Sequence, residues 1–240
     1  MINIRRFTKE DAYGGHENTV LAHNILPKGQ KSPFYHKYGY LENRHTMLGH
    51  QHPTDEIYHV VFGKGTVIVG GENREVSAGD VIDIPANTWH TMSCGDEGPL
   101  CWACYWWPVI KEGRIVPEHI SVKRFDPKTA YDAHDGTILA DKVCPQGMTS
   151  PFVHQYGYLE PGKTMAGHAH ETEECYVVTG GSGYVTVGDE KAEIHDGDVI
   201  EIPVNIWHTM TAKEDSTLTW FALWWDAKDD LDLEATNTDQ

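Results

Sequence analysis

Tyr38-Gly39-Tyr40-Leu41-Glu42 returns as Tyr156-Gly157-Tyr158-Leu159-Glu160, 118 positions further on. Ser32-Pro33-Phe34 returns as Ser150-Pro151-Phe152 at the same offset. So do Gly79-Asp80-Val81-Ile82, as Gly197-Asp198-Val199-Ile200, and Trp89-His90-Thr91-Met92, as Trp207-His208-Thr209-Met210. From Ser32 to Trp107 no gap is needed, and roughly half the positions are identical. Phe7 with Phe125, Tyr13 with Tyr131 and His16 with His134 carry the offset almost to the start of the chain. A repeat of this length is a whole domain, since solenoid units run about 20–50 residues. Two domains follow, expected at 1–115 and 119–232. The polar stretch Lys111 to Glu118 divides them, and an Asp-rich tail frays after Trp225.

Each unit reads as all-β. Short runs rich in Val, Ile, Tyr and Trp are punctuated by turn residues such as Gly63-Lys64-Gly65 and Gly70-Gly71-Glu72-Asn73. Val67 and Val69 alternate with Thr66 and Ile68, and no window shows a period of 3.6. Many short strands at regular spacing predict a sandwich or barrel.

Composition narrows the function. With 40% apolar residues in 240 the chain is globular, and no apolar run approaches the roughly 18 residues of a membrane helix. A net charge of −17 opposes nucleic acid and anionic lipid as partners; a small-molecule substrate is the expected partner, taken at an open metal position. The N-terminus carries no secretory or transit pattern, so the cytoplasm is expected. Five cysteines cannot all pair within one chain. Cys101 and Cys104 lie three apart on an expected strand and so face opposite sides; they read as free thiols.

His50 and His52 are two apart, which on a strand puts both imidazoles on one face. Glu56 follows after a short bend, and His90 lies on a later strand that can run beside the first. His168, His170, Glu174 and His208 repeat the set. Three neutral imidazoles and a carboxylate suit a borderline divalent ion and leave coordination positions open. Tyr58 and Tyr176, two beyond each glutamate, point the same way and could donate to a bound ligand or a developing oxyanion. Met92 and Met210 are expected as pocket wall, and Trp89 and Trp207 as pointing away from the site. His16, His134, His36 and His154 are expected on the surface or in loops, with a place beside each pocket, as a base behind the ligands, as the alternative. The runs Leu100–Trp107 and Leu218–Trp225 are apolar at both parities, as in strands covered on both faces.

The patterns His50-x-His52-x3-Glu56-x6-Gly63 and Gly79-x5-Pro85-x-Asn87-x2-His90 resemble the two signature motifs of the cupin superfamily. So do His168-x-His170-x3-Glu174-x6-Gly181 and Gly197-x5-Pro203-x-Asn205-x2-His208. Asn87 and Asn205 stand where the family more often has Gly; Asn also tolerates positive φ. The resemblance covers nearly the whole chain. It implies two tandem jelly-roll barrels with the four ligands in each barrel mouth, and one divalent metal per barrel. Iron or manganese leads, with nickel, zinc and cobalt as alternatives. The function it implies is a dioxygenase-type oxidoreductase. The alternatives are a redox-neutral isomerase, lyase or decarboxylase, and a non-catalytic binding or storage protein. Either a monomer or a homodimer fits.

Overall fold

The computed structural model describes residues 2–26, 32–109, 116–142 and 149–226. The expected divider is therefore described only from Val116, Cys144 falls outside, and so does the tail from residue 227. The described residues contain strands and no helix, hence no helix long and apolar enough to cross a membrane.

The strands, in chain order, are β1 (Ile4–Arg6), β2 (Tyr13–Gly15), β3 (Val20–His23), β4 (Tyr35–Leu41), β5 (Thr54–Phe62), β6 (Lys64–Val69), β7 (Glu72–Ser77), β8 (Val81–Ile84), β9 (His90–Cys94) and β10 (Leu100–Pro108). They continue with β11 (Val122–Lys123), β12 (Tyr131–Ala133), β13 (Ile138–Asp141), β14 (Val153–Leu159), β15 (Glu173–Val187), β16 (Glu190–His195), β17 (Asp198–Ile202), β18 (His208–Ala212) and β19 (Leu218–Trp225). All named pairs are antiparallel.

One unit is a barrel of two sheets, β11-β8-β5-β10-β4-β3-β2 and β7-β6-β9. In the other, β1-β17-β15-β19-β14-β13-β12 form the first sheet, and β16 and β18 pair with the far half of β15. That strand does the work of both β5 and β6. It passes from one sheet to the other through a bulge between Val178 and Gly180 and a left-handed Gly181, φ 82°. Gly63 makes the same bend in the first barrel, φ 83°. The glycine that ends each histidine motif is thus the corner of the barrel.

Alternation places the cores. Tyr58, Val60, Val67, Ile82, Met92 and Trp102 fill one barrel. Their repeat partners Tyr176, Val178, Val185, Ile200, Met210 and Trp220 fill the other. Full burial of one such side chain stabilises by about 1.5–3 kcal/mol. β10 is covered on both faces, with Cys101, Trp102, Ala103, Tyr105 and Trp107 at 1% exposure or less. Cys94, Cys101, Cys104 and Cys175 are free thiols, which agrees with the strand reading of Cys101 and Cys104.

The two units differ from the expected 1–115 and 119–232 at both ends. β1 pairs with β17, so residues 2–6 join the second barrel. β11 pairs with β8, so residues 116–124 join the first. An arginine secures each short strand. Arg124 holds the buried Asp80 with Nε to Oδ1 and Nη2 to Oδ2, both 2.8 Å. Arg6, its repeat partner, holds the buried Asp198 through Nε at 2.8 Å. Asp80 and Asp198 also accept the Ser77 and His195 backbone N–H groups. A buried carboxylate that loses such a donor costs about 1–3 kcal/mol, so these two- and three-residue strands are fixed by charge rather than by length.

Candidate metal centres

The bend after each H-x-H segment brings the predicted residues together. His50 and His90 form a reciprocal backbone pair, N–H to O=C at 3.1 and 2.9 Å, as do His168 and His208 at 3.1 and 2.8 Å. This pairing sets the rings side by side, with centroids 4.2 and 4.3 Å apart. His52 and His170 are turned in by a second tie. Their carbonyls accept the N–H groups of Asn87 and Asn205, both at 2.7 Å. Those asparagines have φ of 60° and 59°, the left-handed turn that the sequence required of them.

Tautomers follow from the backbone. A carbonyl only accepts, so the ring nitrogen facing it carries the proton. His90 Nδ1 donates to Thr88 O at 2.9 Å, His52 Nδ1 to Thr54 O at 3.1 Å, and His50 Nδ1 to Leu48 O at 3.3 Å. In the second barrel His208 donates to Ile206 O at 2.9 Å and His170 to Thr172 O at 3.0 Å. In the neutral ring each of these Nε2 atoms is left as a lone pair facing the centre; when protonated, His52 and His170 donate from Nε2 to Glu56 and Glu174, both at 3.0 Å.

Glu56 Oε2 lies 3.0 Å from His52 Nε2 and 3.3 Å from His90 Nε2; Glu174 Oε2 repeats both distances to His170 and His208. The Nε2 atoms of His90 and His208 are wholly buried and make no hydrogen bond. A ring-nitrogen lone pair and a carboxylate oxygen facing each other in a buried site repel unless a proton or a metal cation lies between them. One donor atom from each of His168, His170, Glu174 and His208 falls within 4.8 Å of every other; in the first barrel this holds for His50, His52 and His90. Both clusters could hold a metal ion.

Electrostatics prepare the donors. Burial, then the His90 and His16 rings, push His50 down to about 4; burial, then His208 and His134, do the same to His168. Burial works against ionised Glu56, but the His52 hydrogen bond and the His90 ring beside it outweigh burial and hold the carboxyl at about 2. Burial also lowers His52, and the hydrogen bond to Glu56 more than offsets it, so His52 is raised. At His170 the hydrogen bond to Glu174 is the largest influence, and it too is raised.

A pH dependence follows for the metal-free chain. For His50 and His168 the folded value lies below the ordinary 6.5, so between pH 6.5 and about 4 the unfolded chain binds more protons. Their contribution is intact above pH 6.5 and is lost as pH falls through that window. Fully buried His59, pushed by burial to about 3, acts in the same sense. The Glu56 contribution is present above 4.5 and is lost toward 2. His52 and His170, being raised, oppose the trend: their contribution is full below 6.5 and is lost as pH rises through their folded values. The urea midpoint is expected to fall from pH 7 to pH 4.5. A midpoint that rises on acidification would show that His50 and His168 are not held neutral.

Tyr58 and Tyr176 are buried, line the cavities, and sit 5.8 and 5.9 Å from the His90 and His208 rings. Burial, with Glu56 or Glu174 beside it, raises each phenol well above its ordinary range. Each is therefore a hydrogen-bond donor and not a base. Met92 and Met210 lie deeper than expected, in the cores, because their strands run inward from the ligand; Met47 lines the first cavity instead. Trp89 and Trp207 do point outward, 43% and 47% exposed, with their rings over Gly49 and Gly167, where a Cβ would overlap them.

His16 and His134 depart from the surface expectation. Each is on a loop, yet its ring lies 4.2 or 4.4 Å from His50 or His168 and lines the cavity. The cause is a run of left-handed residues, His16-Glu17-Asn18 (φ 47°, 58°, 65°) and His134-Asp135-Gly136 (φ 50°, 58°, 75°). Such a run costs about 1–2 kcal/mol per non-glycine residue. Thr19 Oγ1 donates to His16 O at 2.7 Å and accepts from Leu48 N–H at 2.7 Å, which ties the turn to the segment that carries His50. Thr137 does the same between His134 and Ala166. Recurrence at the 118-residue offset was the signal in the sequence. His36 keeps to the other face of β4, where its Nδ1 accepts from Leu26 N–H.

Comparison with known proteins agrees with this architecture. The family model described as "Cupin domain" matches residues 40–107 and 156–225. An uncharacterized protein of Methanocaldococcus jannaschii is 30% identical over 105 residues, 44% of this chain and 72% of that one. Among solved structures, a variant salicylate 1,2-dioxygenase from Pseudoaminobacter salicylatoxidans in complex with gentisate superposes with TM-score 0.70 at 14% identity, over 93% of this chain and 82% of that one. A cupin 2 conserved barrel domain protein from Leptotrichia buccalis gives 0.66 at 15%, over 93% and 96%. A putative glyoxylate induced protein from Pseudomonas aeruginosa gives 0.68 at 13%, over 85% and 80%. With matched repeats, two jelly-roll barrels and a histidine–glutamate cluster in each, the chain belongs to the cupin family, as a two-domain member.

Proposed function

We propose that this chain is a metal-dependent enzyme, an oxidoreductase of dioxygenase type acting on a small organic substrate. His50, His52, Glu56 and His90 hold one divalent ion, and His168, His170, Glu174 and His208 hold another. The observation that carries the reading is the buried, unbonded Nε2 of His90 and of His208 against a carboxylate oxygen. Iron or manganese is the expected native metal. The chemistry such an ion supplies is Lewis-acid polarisation of a substrate oxygen and one-electron chemistry with dioxygen.

The chain's own groups do the rest. Backbone carbonyls fix the tautomers of His50, His52, His90, His170 and His208, which keeps those Nε2 atoms on the centre. Tyr58 and Tyr176 keep their protons and donate to an oxygen on which negative charge develops. Trp106 and Trp224 wall the cavities and exclude water. The dioxygenase type is favoured because a salicylate 1,2-dioxygenase with bound gentisate shares the fold.

The test is oxygen uptake by iron- or manganese-loaded chain with a panel of hydroxy acids and diphenols. Consumption of oxygen in step with substrate is expected, and Tyr176→Phe or Tyr58→Phe should lower kcat by about a hundredfold in the barrel that turns over. Turnover under nitrogen, with no oxygen consumed, would overturn the oxidoreductase reading in favour of redox-neutral chemistry.

A further inference from the structure

The two cavities share their ligand sets and differ in one charge. In the first barrel the register runs Lys37 opposite Cys104 opposite Tyr58, and in the second Gln155 opposite Ala222 opposite Tyr176. These side chains lie on the inner face, one row from Tyr35–Trp106–Glu56 and from Val153–Trp224–Glu174. Lys37 lines the same cavity as His50, His52 and Glu56. Gln155 lines the other, with His168, His170 and Glu174.

The Lys37 ammonium pairs with no carboxylate among the described residues. It rests instead over two aromatic faces, 5.3 Å from the Tyr13 ring and 6.0 Å from the Trp106 ring. Lys9, Lys64 and Lys213 each have a glutamate partner, Glu42, Glu97 and Glu193. In the second barrel the aromatic pair survives as Tyr131 and Trp224, but the cation is gone, and Gln155 Nε2 donates to Tyr131 Oη at 2.9 Å. The cavities differ in size as well, about 50 Å³ in the first and about 360 Å³ in the second. The first is the tighter of the two, which favours a small ligand there.

We propose that the first barrel selects a small carboxylate, whose anionic group is held by Lys37 between Tyr13 and Trp106 while a second oxygen faces the His50–His52–His90 cluster, and that the second barrel has no such anion subsite. A lysine is a point charge and not a fork, so it holds one end of the ligand and leaves orientation to the other contact. A charge-assisted hydrogen bond in a water-poor cavity is about twice as strong as a neutral one, and Gln155 cannot supply it. The proposal rests on the metal reading above only for the second contact; the Lys37 contact stands without it.

Calorimetric titration of the full chain with glycolate, and with the neutral isostere glycolamide, tests this in zinc-loaded and metal-free samples of measured metal content. The expected result is one site per chain that prefers glycolate by at least tenfold. Lys37→Gln abolishes the preference, Lys37→Arg retains it, and Gln155→Lys adds a second such site. Equal glycolate affinity in Lys37→Gln and the parent chain overturns the proposal. So does a preference that survives Lys37→Gln and vanishes in His168→Ala. A chain that takes up no metal sinks the proposed function and not this inference; the metal-free titration then decides it, with Lys37-dependent preference upholding it and its absence overturning it.

Discussion

Replacing His208 with alanine is expected to remove one metal equivalent per chain and leave the other in place; His90→Ala should do the same from the first barrel. Both rings are wholly buried, and each holds its Nε2 beside a carboxylate with no other hydrogen-bond partner. Losing a residue that merely supports a ligand costs about 10–100-fold in metal affinity. Losing the ligand itself should cost at least a hundredfold. Because each set comes from its own repeat and its own sheets, the losses should add in the double variant. Elemental analysis after dialysis against a weak chelator measures this. The alanine leaves a cavity, so the isosteric carboxamide change Glu174→Gln serves beside it: it keeps the packing and removes the charge. Loss of both equivalents from one substitution would contradict independent sites. Full retention in all three would remove these residues from the metal altogether.

Gly181→Ala is the second large effect, expected to destabilise the second barrel by about 3 kcal/mol. Two costs combine. Alanine at φ 82° carries a strain of about 1–2 kcal/mol. Its Cβ would also overlap the Thr217 carbonyl oxygen, a backbone atom that cannot swing away, and such overpacking costs about 1–3 kcal/mol. Gly197→Ala separates the two, since Gly197 has φ 86° with open space around it. It should lose only the strain, about 1–2 kcal/mol. Denaturant titration of both variants is the measurement, and equal losses would refute the clash. Gly181 joins the part of β15 that carries Glu174 to the part paired with β18, which carries His208. The variant should therefore weaken metal at that site while leaving the first barrel's metal untouched.

Much of this was legible in the sequence because the duplication printed each site twice. His50, His52, Glu56 and His90 are separated by the period of a strand and a turn, and their repeat at one offset left little room for chance. Asn87 and Asn205 occupy the left-handed position foreseen for them. Other features were hidden for physical reasons. Ile4-Arg5-Arg6 is too short to show a period, and its partner β17 lies 192 residues from Arg6, a pairing set by the Asp198 carboxylate. For His16 and His134 a surface or loop place was the first expectation and a place beside the pocket the alternative; the three left-handed residues that fold each ring back onto the site leave no periodic mark. Lys37 and Gln155 carry no mark in the sequence, because a repeat displays only what matches. The charge at one inward position, opposite Cys104 and Ala222, distinguishes the two cavities along with their size.

X-ray absorption on zinc-loaded chain tests most directly whether three imidazoles and a carboxylate meet at one ion in each barrel. The account predicts a shell of nitrogen and oxygen at about 2.0–2.2 Å, with outer-ring scattering from about three imidazoles per zinc. His168→Ala should lose about half the bound zinc, while the zinc that remains keeps about three imidazoles. Zinc surrounded by oxygen alone, with no imidazole scattering, would contradict it.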